Sequence, residues 1–348
     1  MYFVHVFFAL AALISSATAG VIWPWKCFGL HARTIPSWGD LVVDGTGKYP
    51  GSFKSVSLAV AALKNTTEFP YNYGQTIFIF PGNYTEQVYI GKLLGPLTVR
   101  GYTCDSRSYT ENQVTISYNL SRVVPGLTNN DQTSTVRLWT SNVKFYNLNI
   151  ANTFGAGSQA LALSAQNTNQ GFYGCRFTGW QDTIYANEGR QIYAKSYVNG
   201  AVDFIFGLRA AAWFENLDIE TLGNGWVTAN GREAENNTSI YVFNKCGIKG
   251  AGGATAASTY LGRPWRQFSR VVFQTSYLGD VVNPAGWSRW DAVQPVDNLY
   301  YGEYKNYGPG ATGPRANFST ELPAPVKVVD VLGKHFEKEY WVDTSYLG

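Results

Sequence analysis

Apolar and polar positions recur along the middle of the chain in short strings, and a longer rhythm is laid over them. Val143-Lys144-Phe145-Tyr146-Asn147-Leu148-Asn149-Ile150 is followed by strings at 172–177, 192–198, 213–219 and 240–243, all rich in β-branched and aromatic residues. Phe145, Phe172, Ile192 and Trp213 follow one another at 27, 20 and 21 residues, with Gly and Asn between the strings. An antiparallel sandwich also repeats its strands, at about 8 to 12 residues. Three short strands per coil give that local spacing too, so the longer repeat of roughly 20 to 30 residues is what distinguishes a stacked solenoid. The pattern predicts an all-β chain wound as a parallel β-helix, in which each coil buries its inward residues only when a neighbour stacks on it. Residues 55–63 (Ser-Val-Ser-Leu-Ala-Val-Ala-Ala-Leu) predict a short helix that caps the amino-terminal end of the solenoid. Residues 221–260, rich in Gly, Asn and Ala, read as long loops.

The ends and the cysteines set the compartment. Residues 1–20 carry no Lys, Arg, Asp or Glu, residues 3–14 are nearly all apolar, and Ala17-Thr18-Ala19 supplies small residues for cleavage. Residues 1–19 therefore read as a secretory signal peptide, and 20–348 as one β-helix domain that grows by adding coils. No later apolar run reaches the roughly 20 residues needed to span a bilayer, so no membrane attachment is expected after the leader is removed. Asn65, Asn83, Asn119, Asn236, Asn237 and Asn317 each begin an Asn-x-Ser/Thr sequon, as a secreted glycoprotein allows. Four cysteines permit three full pairings. Cys175 and Cys246 fall in coil strands two or three turns apart, roughly 10 to 15 Å at about 4.8 Å per rung, which is too far for a disulfide. A Cys27–Cys104 bridge is the expected one.

A net charge of +3 is too mild for dedicated nucleic-acid binding and leaves room for an acidic polymer. Outside the leader only His31 and His335 are histidines, close to the chain ends, which argues against a Ser-His-Asp machine or a His-rich metal site. No metal or cofactor is expected. The residues that stand out are carboxylates and amides. Gln159, then Gln181 with Asp182, then Asp203 step along the chain at 22 and 21 residues, about one coil each. Equal steps on a solenoid return to the same face, so these side chains are expected to converge on one outer groove, with Arg263 joining from a later coil. Taken singly, each aspartate could close an Asx turn, and Arg263 could be an ordinary surface ion pair. Their order and spacing together favour chemistry.

In these segments the chain resembles the pectin methylesterases, a carbohydrate esterase family built on a right-handed, single-stranded parallel β-helix. The resemblance runs from about residue 42 to 315. It is carried by Val43-Asp44-Gly45-Thr46-Gly47, Gly82-Asn83-Tyr84-Thr85-Glu86, Gln159-Ala160-Leu161-Ala162-Leu163, Gln181-Asp182-Thr183-Ile184-Tyr185, Arg190-Gln191-Ile192-Tyr193, Val202-Asp203-Phe204-Ile205-Phe206-Gly207 and Leu261-Gly262-Arg263-Pro264-Trp265. It implies a secreted, monomeric enzyme that hydrolyses the C6 methyl esters of polygalacturonate (pectin). Asp203 is then the nucleophile, Asp182 the proton donor and later base, and Gln181 and Gln159 the donors to the developing oxyanion. Arg263 orients Asp203 and keeps it ionised, while Asp182, near another carboxylate and partly desolvated, keeps its proton. Tyr185, Phe206 and Trp265 match positions flanking the groove, and Trp287 and Trp290 are candidates for the same task. Cysteines that many relatives carry near positions 196 and 217 are missing here as a pair. A lyase of the same shape would need a calcium-binding carboxylate cluster, which the sequence does not present. A non-catalytic wall-polysaccharide binder would need no acid and nucleophile pair.

Overall fold

The computed structural model describes residues 27–348; the expected leader, 1–19, lies outside the described residues. The chain forms three parallel sheets of 11, 7 and 8 strands, and each strand pairs with its counterpart one coil away, the arrangement of a parallel β-helix. The repeat seen in the sequence is a physical register. Phe145, Phe172, Tyr193, Phe214, Phe243 and Phe273 are successive Cα partners in the 11-stranded sheet. From Phe172 onward these rings stack inside the coil at centroid distances of 4.7, 4.8, 4.3 and 4.3 Å. Offset stacking adds about 0.5–1.5 kcal/mol per pair to the area each ring buries.

One bend repeats in each coil from Asn147 onward. Asn147, Gly174, Lys195, Asn216, Lys245, Thr275 and Lys305 all have φ between 47° and 59°, a left-handed conformation that Gly and Asn adopt most cheaply. The residue after each bend turns inward. Leu148, Cys175, Ser196, Leu217, Cys246 and Ser276 form that column, all buried. Cys175 and Cys246 are thus separated by two intervening rungs and are free thiols, while Cys27 and Cys104 are bonded, with Cα atoms 4.9 Å apart. Both outcomes match the expectation from rung spacing.

The short helix spans Val56–Ala61. Ser55 caps it by accepting from the Leu58 amide, and the Val56 and Ser57 amides donate to the Glu86 carboxylate at 2.8 and 2.9 Å, which satisfies first-turn donors that have no partner within the helix. Val56 and Ala59 are its buried residues. Residues 221–260 depart from the loop expectation. They hold the strands Gly225–Asn230, Ile240–Asn244, Gly247–Gly250 and the start of Thr259–Gly262, and the longer connections are 231–239 and 251–258. Ile240–Asn244 contains the β-rich string already seen at 240–243, while the weaker Gly225–Asn230 and Gly247–Gly250 are held by neighbouring coils, which supply the pairing.

The carboxy-terminal residues turn back along the outer face of the 11-stranded sheet. Leu332, Phe336, Trp341 and Tyr346 form one cluster with Tyr146, Tyr173, Ile192, Trp213 and Val242. Tyr173 donates to the Trp341 carbonyl at 2.8 Å, Tyr146 to Asp343 at 2.8 Å, and Arg190 forms a two-pronged pair with Glu339 at 2.6 and 2.7 Å. This covering explains why strands such as Gln170–Tyr173 are buried at every position instead of alternating. The sheet ends at Ser319–Glu321, a short and polar last strand. Of the sequon residues, Asn237 is committed to the fold, since its amide donates to the Leu208 carbonyl and its oxygen accepts from the Ser239 amide; the others are exposed.

Phe243 sits between Phe214 and Phe273 with 4.3 Å stacking on both sides. Phe243→Ala is expected to destabilise the fold by about 3–5 kcal/mol, read as a lower midpoint in urea unfolding.

Candidate active site

The seven-stranded sheet positions the residues singled out in the sequence. Leu163, Ile184, Ile205 and Thr228 are successive Cα partners, and Thr228 pairs in turn with Gly262. Asp182 and Asp203 each lie two residues before their rung partners Ile184 and Ile205. Gln181 bridges Val202, and the Asp182 amide donates to the Val202 carbonyl at 3.1 Å. The two aspartates therefore occupy equivalent corners of adjacent coils. Both corners are left-handed, with φ of 64° and 50°, a conformation that Asp tolerates better than most residues. Arg263 follows Gly262 directly, and its amide is fixed by the Thr228 carbonyl at 3.0 Å.

Arg263 donates from Nε and Nη2 to the two oxygens of Asp203 at 2.9 and 2.7 Å, a forked pair that fixes the plane of the carboxylate. Asp182 has a different neighbour: the side-chain amide of Asn130 donates to its Oδ2 at 2.9 Å. Asn130 opens a 3-10 turn, Asn130–Thr133, closed by an Asn129/Gln132 capping box. Asp131 anchors that turn by accepting from Arg137 at 2.7 and 3.0 Å and from the Trp139 indole at 3.2 Å.

Gln159, Gln181, Asp182, Asp203 and Arg263 line one cleft of about 310 Å³, walled by Asn130, Phe206, Trp265 and Trp290. Tyr185 stands beside it, stacked on Phe206 at 4.3 Å with planes 6° apart. Trp287 does not flank the cleft. It is 1% exposed, stacks on Tyr301 at 4.3 Å and donates to Glu303 at 3.1 Å within the core. Trp287 bridges Gly262 and its ring enters the core, whereas Trp290, three residues past that bridge, reaches the cleft. Asn130 carries no periodic signal in the sequence. Trp226, which lies against Arg263, was hidden in a stretch that read as loop.

Burial dominates the electrostatics. The Asp182 carboxyl is pushed well above the ordinary carboxylate range, first by burial and then by the charge of Asp203; Arg263 and the Asn130 amide pull it down without cancelling this. Asp203 is raised too, because burial outweighs the hydrogen bonds and charge of Arg263. Arg263 favours the ionised form of Asp203, as expected, but it works against a desolvation that raises both carboxyls. The difference between them survives: only Asp203 has a guanidinium hydrogen-bonded to it. Among the described residues no cluster of His, Cys, Asp or Glu is suited to hold a metal ion.

Coils that gather two unequal carboxyls, two amides and an arginine over one aromatic-walled cleft place the molecule among β-helical hydrolases. The family profile described as Pectinesterase matches residues 40–320. Pectinesterases of Aspergillus niger and Aspergillus aculeatus are 44% and 41% identical, each alignment covering 96% of this chain and all of the relative. The crystal structure of the Aspergillus niger pectin methylesterase superposes with a TM-score of 0.83 at 36% identity, covering 91% of this chain and all of that one. The carrot pectin methylesterase gives 0.78 at 29% identity, covering 89% and 98%. The chain belongs to the pectinesterase family and is a carboxylic ester hydrolase.

A carboxyl whose folded pKa is raised binds more protons in the folded than in the unfolded state. Its penalty is absent below the unfolded value, about 4, and grows as pH rises through the folded one. Asp182→Asn is therefore expected to melt at a higher temperature than wild type at pH 7, with the gap closing toward pH 4. A variant that melts lower at pH 7 would contradict this account of the site.

Proposed function

We propose that the protein is a secreted pectin methylesterase that converts the C6 methyl esters of polygalacturonate to free carboxylates and methanol. The observation that carries this reading is the unequal surroundings of two adjacent carboxyls. Asp203, held by Arg263, attacks the ester carbonyl through one carboxylate oxygen. The negative charge that develops on the carbonyl oxygen is met by the side-chain amides of Gln181 and Gln159, neutral donors that do not compete with Arg263 for Asp203. Asp182, which keeps its proton at pH values where ordinary carboxyls have lost theirs, gives it to the departing methoxy oxygen, and methanol leaves. The galacturonyl group is then an anhydride on Asp203. A water attacks it while Asp182, now ionised, takes the proton; the C–O bond to Asp203 breaks and both aspartates return to their starting states.

Phe206, Trp265, Trp290 and Tyr185 offer flat faces on which sugar rings pack and exclude water. Pectin suits a chain with a mild positive charge, whose approach to a polyanion is helped and is weakened by salt. Secretion is supported by the cleavable pattern of residues 1–19 and by a disulfide, which persists in oxidising compartments. Among the described residues no helix is long and apolar enough to cross a membrane. We take residues 20–348 as one domain acting as a monomer.

Methanol release from highly esterified pectin tests the assignment. Asp203→Asn is expected to abolish it, and Asp182→Asn to lower kcat by about 10²- to 10⁴-fold, the usual worth of a general acid. The kcat/KM profile should rise on its acid side above the ordinary carboxylate value, as Asp203 ionises, and fall on its alkaline side as Asp182 loses its proton. Undiminished release by Asp203→Asn would refute the mechanism, and no release by wild type with pectin still bound would mark a non-catalytic binder.

A further inference from the structure

Arg263 is held by its edge and by both faces. The edge is the forked pair with Asp203. The faces are covered by two indoles: the guanidinium carbon lies 3.5 Å from the ring centroid of Trp226 and 4.2 Å from that of Trp290. Trp226 is itself tied down, since its Nε1 donates to Ser288 Oγ at 2.6 Å. Ser288 is two residues before Trp290, so one indole is fastened to the segment that carries the other. Tyr260, the Cα partner of Trp226 on the next coil, lies behind it with ring planes 15° apart.

Trp226 has no place in the cleft wall, and nothing in its position suggests contact with the ester. Its indole instead restricts what Arg263 can do. A guanidinium on a long, flexible side chain loses considerable rotamer entropy when fixed, and it stacks favourably on aromatic faces. With both faces covered, Arg263 can neither tilt out of the Asp203 plane nor take up water above or below it.

We propose that Trp226 is a positioning residue for ester hydrolysis: its Ser288-tethered indole is the inner wall of an indole–guanidinium–indole stack that locks Arg263 in the plane of the Asp203 carboxylate. This rests on the reading of Asp203 as nucleophile. The charged and titratable groups that face Asp203 are Arg263, Asp182 and, from the core side, Tyr301. Only Arg263 favours the ionised form, so loosening it costs both orientation and ionisation.

The test compares wild type, Trp226→Leu, Trp226→Phe, Ser288→Ala and Asp203→Asn in methanol release across pH. Trp226→Leu is expected to lower kcat about tenfold, the scale of a desolvated cation–π contact. KM should stay within about twofold, and the acid limb of the kcat/KM profile should move to higher pH. Trp226→Phe should recover most of the loss, and Ser288→Ala should shift the same limb by less. An unmoved acid limb in both Trp226→Leu and Ser288→Ala, with activity falling only in proportion to the folded fraction seen by near-ultraviolet circular dichroism, would assign Trp226 a purely structural role and overturn the inference. If Asp203→Asn is inactive while the limb is unmoved, this inference fails alone. If Asp203→Asn is active, the nucleophile assignment fails and takes the inference with it.

Discussion

Parallel pairing between coils fixes which side chains meet. From Gln170 to Thr221 each coil takes 21 residues, so Phe172, Tyr193 and Phe214 stack, as do the corners before Ile184 and Ile205. The same hydrogen-bonded register that builds the aromatic column inside the solenoid therefore sets two aspartates side by side outside it. The Asp182 backbone is itself part of a rung, donating to the Val202 carbonyl, which ties its placement to the stack. The site inherits the rigidity of the core at little cost of its own.

Placing two acids on adjacent rungs under aromatic walls is unfavourable by itself. Burial raises both carboxyls, and mutual repulsion adds to the burden on Asp182. The fold answers with one cation, delivered by the strand that ends at Gly262, and gives its hydrogen bonds to Asp203 alone. Asn130 offers Asp182 a neutral hydrogen bond that positions it without supplying a countercharge. Unequal surroundings for two carboxyls thus arise from one shared environment and a single asymmetric partner.

Much of this was legible in the chain. The spacing of Gln159, Asp182 and Asp203 reported the coil length, and rung distance alone excluded a Cys175–Cys246 bridge. What failed did so for identifiable reasons. The inward placement of Trp287 depends on its bridge to Gly262, and composition does not carry it. The Gly, Asn and Ala content of 221–260 masks the strands within it, which form because neighbouring coils pair with them, and Trp226 lies in one of these. Asn130 reaches the cleft through a capped turn anchored by Asp131 and Arg137, a tertiary arrangement with no periodic trace. The segment that covers the outer face of the longest sheet left only a hint, in strands that are apolar on both sides.

The last rung carries a consequence for the molecule as an object in solution. An open solenoid is a template, and a bare terminal strand invites a second copy to continue the pile. Here the final strand, Ser319–Glu321, is only three residues long with a charged end, and Pro323 and Pro325 follow at once, removing amide donors that an incoming chain would need. This edge of the 11-stranded sheet thus offers an incoming strand little to pair with, a limit written into the last rung itself.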